Sequence, residues 1–195
     1  GPLGRLTPYP RTFVGICITG FAIAFSTSLI QPVLSVYANE ELLISETGVG
    51  MLFTAMGIAN LVATLPAGTA ADRIGKKPII ILGKILDGVF TAMITIATGF
   101  EFLLVIMMAR GFGHATSNPT TTAMLSGLVH VSRRGKGMGI FHIFRNIGLV
   151  VGALIGGIIY EQISQKSPFL ACSVVSFLGV AVVLLMVKEP KKGLA

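Results

Sequence analysis

One charged decapeptide, Gly68-Thr69-Ala70-Ala71-Asp72-Arg73-Ile74-Gly75-Lys76-Lys77, interrupts a long apolar stretch and is closed by Pro78. Hydrophobic runs of membrane length flank it on both sides. A polar segment this short predicts a hairpin between two spanning helices that are antiparallel neighbours. Its three cations against one anion predict a cytoplasmic position for the hairpin, because loops rich in Lys and Arg stay inside.

The same apolar character recurs along the chain, over residues 13–37, 49–70, 78–98, 102–128, 138–160 and 168–187. Each run can cross a hydrocarbon core that takes about 20 helical residues. With 53% hydrophobic and only 12% charged residues, the composition excludes a soluble globule. The expected fold is all-α, a six-helix transmembrane bundle forming a single domain over residues 5–195. Residues 1–4, Gly-Pro-Leu-Gly, read as the remnant of a cleaved purification tag and are set aside. Short connections leave no room for a soluble domain, so chemistry is expected inside the bundle or at its rims.

Charge placement predicts the topology. Arg5, Arg11, Arg73, Lys76, Lys77, Arg133, Arg134, Lys136, Lys188, Lys191 and Lys192 fall at the two ends and in the second and fourth connections. The odd connections carry Glu40, Glu41, Glu46, Glu101 and Glu161 against Lys166 alone. Both termini are therefore expected in the cytoplasm. The formal charge of +7 reflects this bias, and no nucleic-acid partner is implied. Cys17 and Cys172 lie in apolar runs without metal-ligand or redox spacing, which predicts free packing thiols. No cofactor and no metal site are expected. Without nucleophile–base spacing the chain does not read as an enzyme.

The pattern Gly68-x-x-x-Asp72-Arg73-x-Gly75-Lys76-Lys77 resembles the signature that follows the second helix of the major facilitator superfamily of secondary transporters. The resemblance implies a three-plus-three inverted repeat, transport driven by a gradient, and a cytoplasmic gate formed by Gly68, Asp72, Arg73, Gly75, Lys76 and Lys77. Ala109-Arg110-Gly111-Phe112-Gly113 is similar to the family's fourth-helix Arg motif. The run 148–157 resembles the fifth-helix motif associated with antiporters, with Ala153 where that motif carries proline. Symport and antiport both stay open.

An ionisable side chain at bilayer depth defaults to a paired or functional role. Arg110, His114 and Asn118 recur at i, i+4 and i+8, which stacks them on one helical face. That face is expected to line a cavity, with Arg110 suited to an anion and His114 able to carry a proton. Thr27 and Gln31, beside Pro32, form a second polar set in a helix expected to open locally, whereas Ser26 and Ser28 are expected to bond back to their own helix. His142, Arg145 and Asn146 fall within one turn, and Arg145 has no carboxylate three or four residues away. Lys84 and Asp87, three apart, are expected to neutralise each other. Gly139, Gly148, Gly152, Gly156 and Gly157 predict a close helix–helix seam.

The expected function is secondary active transport of a small, anionic solute by alternating access, in the inner membrane of a bacterial or archaeal cell. One bundle would leave its polar faces against lipid, so a second bundle is expected, with the chain working as a homodimer of half-size bundles; the alternative is a fragment of a twelve-helix transporter, whose other half supplies it. A non-transporting membrane scaffold or subunit is the alternative class.

Overall fold

Prolines and a single left-handed glycine mark where the helices begin and turn. In the computed structural model, which describes residues 7–189, every regular element is helical. Residues 1–4, Arg5, Lys191 and Lys192 lie outside the described residues. The helices are α1 (Pro10–Glu40), α2 (Glu46–Ile74), α3 (Lys76–Met93), α4 (Phe100–Leu128), α5 (Arg134–Gln162) and α6 (Ser167–Met186). Short 3₁₀ turns, Ile94–Ile96 and Val131–Arg133, follow α3 and precede α5. Pro10 opens α1 at a position where its missing N–H is no loss. Ser45 caps α2 by accepting from the Gly48 amide at 3.2 Å, with Glu46 in the first turn.

The charged decapeptide is not a loop. α2 runs through Asp72 and Arg73 to Ile74, α3 starts at Lys76, and Gly75 alone joins them with φ +106°. A side chain is strained at such a φ. α2 and α3 are also not packed neighbours, because α4 lies between them. Gly111 of α4 sits against the Met56 carbonyl and Ala59 of α2, and a Cβ at Gly113 would lie 3.0 Å from the Gly83 carbonyl oxygen of α3. α1 packs mainly on α5 and α6, α3 on α4 and α6, and α1 meets α4 at the centre.

Pro32 and Pro119 lie within unbroken helices. The local opening expected beside Pro32 is absent. Ser28 instead donates to the Leu149 carbonyl of α5 at 2.6 Å, and Thr27 bonds back to Ile23 O at 2.9 Å. Ser26 is buried without a hydrogen-bond partner for its hydroxyl.

Two apolar clusters fill the interior, one at each end of the bundle. The first gathers Leu29, Leu34, Tyr37, Leu52, Met107 and Phe169; the second gathers Phe13, Ile16, Ile80, Leu125, Phe141 and Val183. Between them lies a buried polar layer of Lys84, Asp87, Arg110, His114 and Ser176. Among the described residues five helices are long and apolar enough to cross a membrane: α1, α2, α3 with its 3₁₀ turn, α5 with its 3₁₀ turn, and α6. α4 matches them in length and falls outside that set; it carries Glu101 and Arg110 in its first half, His114 at its middle, and Ser117, Asn118, Thr120, Thr121 and Thr122 in its second half.

Of the glycine seam in α5, Gly148, Gly152 and Gly156 form the contact. They rest on the backbone of Phe21, Phe25 and Leu29 of α1 in turn. Gly139 and Gly157 face open space, so they do not belong to the seam. Its counterpart is in α2, whose buried face is the four-residue stripe Ala59, Ala63, Ala67 and Ala71.

Candidate functional site

Burial of an acid in this interior requires compensation, and Asp87 is compensated from three directions. Arg110 Nη2 of α4 donates to Asp87 Oδ1 at 3.2 Å, and Ser176 Oγ of α6 donates to Oδ2 at 2.9 Å. His114 Nε2 lies 3.5 Å from Oδ1. Arg110 is 2% exposed and Asp87 5%. The expected Lys84–Asp87 pair does not form within hydrogen-bonding or ion-pairing distance. Lys84 is instead sealed against Gly179 of α6. Helical spacing gives the two side chains a shared face, but α4 and α6 supply better-placed partners.

Arg110 is consequently occupied inside the bundle and is not part of the wall of the main cavity. The lining stripe of α4 begins one turn later, at His114, and continues through Asn118, Thr122 and Ser126 at four-residue intervals. With Asn60 of α2 and Arg145 of α5 these line a shallow, open cavity of about 530 Å³. Arg145 Nη1 donates to Asn118 Oδ1 at 3.1 Å. Among the described residues no acid lines this cavity. A planar guanidinium with an amide beside it can take a carboxylate or phosphate by two parallel hydrogen bonds.

The remaining candidates fall elsewhere. Gln31 is exposed and Thr27 is half-buried, and neither reaches the cavity. His142 is exposed and packs edge-on to Phe141. A smaller cavity of about 180 Å³ adjoins the first through Pro119 and Ala123, and is bounded by Gly68, Asp72 and Lys76. Another, of about 410 Å³, lies between the end of α1 and the start of α2, where Glu40 and Glu46 line it.

Within the gate motif, Lys76 Nζ donates to Ala123 O of α4 at 3.1 Å and Lys77 Nζ to Leu184 O of α6 at 3.0 Å. Lys77 thus serves the C-terminal end of α6, which ends at Met186, whereas Lys76 reaches α4 more than one turn before its end at Leu128. Gly68 has no neighbour on its open side, so it permits no close approach within this bundle. The amides of Lys76 and Lys77 donate to the Glu189 carboxylate, which also lies against Gly75. Glu189 is thus the anion at the α3 N-terminus. Its signal in the sequence is an acid among the bases that follow the sixth span, whereas nothing in the sequence marks Ser176.

The profile of the Major Facilitator Superfamily matches residues 16–195, and the chain belongs to that family. It is 30% identical over 165 residues to the uncharacterized MFS-type transporter MJ1560 of Methanocaldococcus jannaschii, covering 85% of this chain and 42% of that protein. It is 27% identical over 172 residues to the quinolone resistance protein NorA of Staphylococcus aureus, covering 88% of this chain and 44% of that protein. The chain therefore spans less than half the length of these relatives.

Proposed function

We propose that this chain is one six-helix bundle of a gradient-driven secondary transporter, which moves a small organic anion by alternating access through the cavity at Arg145. The observation that carries the reading is the pairing pattern of the interior. Asp87 takes up the charge of Arg110, which leaves Arg145 as a cation at a cavity wall without acids. A quinolone resistance protein among the relatives makes organic solutes the first class to test.

The inverted three-plus-three repeat is part of this reading. Exchanging α1 with α4, α2 with α5 and α3 with α6 maps the major helix contacts onto one another: α1 on α5 becomes α4 on α2, and α3 on α4 becomes α6 on α1. Charge bias supports cytoplasmic termini. The exposed side of Asp72 and the open space at Gly68 suit a gate that closes against a second bundle, with Arg73 beside it. That bundle comes from a second copy of this chain in the reading favoured here, and from the other half of a longer protein in the alternative. The archaeal and bacterial relatives favour a prokaryotic cell membrane. A scaffold that has lost the transport cycle has no use for an accessible cation at bilayer depth, which disfavours that class.

The test is uptake of organic anions into proteoliposomes under an imposed gradient. Arg145→Gln is expected to lower uptake at least tenfold, with Arg145→Lys retaining more. Undiminished uptake in Arg145→Gln overturns the assignment.

A further inference from the structure

Arg110 and Arg145 carry the same charge and are held in opposite ways. Arg110 donates to a carboxylate, Asp87 Oδ1, at 3.2 Å, and its charge is matched there. Arg145 donates through Nη1 to an amide oxygen, Asn118 Oδ1, at 3.1 Å, and no acid among the described residues lines the cavity around it. Asn118 is its one hydrogen-bond partner among the described residues. An amide oxygen orients a guanidinium without cancelling its charge. Asparagine and aspartate have nearly the same shape, so the choice between them at this position decides whether the cavity wall is cationic or neutral.

The bond constrains both partners. A guanidinium has only donors, so the Asn118 carbonyl must face Arg145 and the Asn118 amide nitrogen is turned from it. Among the described residues Nδ2 makes no hydrogen bond; the other bonded group of Asn118 is its backbone carbonyl, which accepts from Thr122 Oγ1 at 3.2 Å. Both side chains are half-buried and line the cavity. α4 rests mainly on α2 and α3, and α5 mainly on α1, so this bond bridges two separate walls. The wall on the α5 side is itself anchored, because Gly148, three residues after Arg145, lies against the Phe21 carbonyl of α1. A long arginine side chain without a tether samples many rotamers and acts as a mobile point charge. Tethered, it offers its remaining N–H groups, with the Asn118 amide beside them, at a set spacing. Donors on two fixed groups suit a carboxylate, whose two oxygens accept together, better than a spherical halide of the same charge.

We propose that Asn118 is the specificity-determining residue of this cavity: it positions Arg145 without neutralising it, adds a donor of its own, and so selects organic carboxylates over halides. The inference rests on the anion-cavity reading above and narrows it to one chemical class. Two properties of a single side chain carry the selection. Its carbonyl holds the cation in place, and its amide nitrogen completes the set of donors that a planar ligand meets. Charge alone attracts every anion alike, whereas the fixed donors distinguish among them.

The experiment is calorimetric titration of the purified protein in nanodiscs with sodium benzoate and, separately, with sodium chloride, at fixed pH and ionic strength in a buffer free of both anions. The parent protein is expected to bind benzoate about tenfold more tightly than chloride. Asn118→Asp keeps the tether and cancels the charge, and is expected to weaken both anions by about tenfold or more. Asn118→Leu keeps the charge and removes the tether and the amide donor. It is expected to hold chloride within about twofold of the parent value while its preference for benzoate falls to about twofold. Asn118→Ser, too short to reach Arg145 as the amide does, is expected to follow Asn118→Leu. A general loosening of the bundle lowers both affinities together and leaves their ratio unchanged, so the ratio reports positioning. A benzoate preference that survives in Asn118→Leu and Asn118→Ser, benzoate binding undiminished in Asn118→Asp, or a parent protein that binds chloride as tightly as benzoate overturns the role of Asn118 and leaves the anion cavity standing. Failure of the parent protein to bind either anion overturns both readings.

Discussion

When one member of a buried ion pair is removed, the other keeps its charge and loses its compensation. Asp87→Asn strands Arg110, 2% exposed and, among the described residues, bonded otherwise only to Met107 Sδ at 3.9 Å. Its unfolding in mixed micelles is expected to show a loss of about 3 kcal/mol or more. The double variant Asp87→Leu with Arg110→Met, which removes both charges, is expected to recover a large part of that loss. At this scale the sequence revealed which residues matter, because ionisable groups are rare in apolar helices. It did not reveal how they pair. Spacing within α3 joins Lys84 to Asp87, but the partners that prevail come from α4 and α6, at sequence separations of 23 and 89 residues. Such partners are fixed only when helices are packed.

Small residues decide how closely helices approach, and they act only where another backbone is present. Phe25 Cα lies 3.0 Å from the place a Cβ at Gly152 would occupy, whereas nothing lies within 4 Å at Gly157. Gly152→Ala is therefore expected to push α1 from α5 and cost about 1–3 kcal/mol. Gly157→Ala is expected to be neutral or to stabilise by up to about 1 kcal/mol through helix propensity. Thermal unfolding of the two variants side by side checks the contrast. The helical period of the glycines was legible in the sequence, as was the existence of a seam. Its register was not, since Gly139 and Gly157 belong to the same glycine-rich stretch and differ only in what faces them. The alanine stripe of α2 uses the same four-residue spacing and was readable by the same rule. The hairpin misled for a different reason. Polar residues from 68 to 77 suit a loop, yet the end of a helix beyond its apolar run is equally polar, and one glycine is enough to reverse the chain.

At the scale of the whole molecule, α2 and α5 are the two spans with the smallest buried share. Gln31, Asp72, His142 and Asn146 are all exposed on one bundle, and the polar groups among them that sit at bilayer depth are costly against lipid. Native mass spectrometry in mild detergent is expected to give a particle of two chains, each 20.5 kDa. A stable single chain would move the search for the second bundle to another polypeptide. Assembly has an order as well as a stoichiometry. α4 is the helix outside the apolar set, and a central Arg alone opposes membrane insertion by about 2.5–3.5 kcal/mol. During synthesis the ribosome has already delivered α2 and α3, and with α3 the carboxylate of Asp87, before Arg110 emerges. Entry of α4 into the bilayer is thus a rendezvous with earlier segments of the nascent chain, and the fold depends on the sequence in which its parts are born.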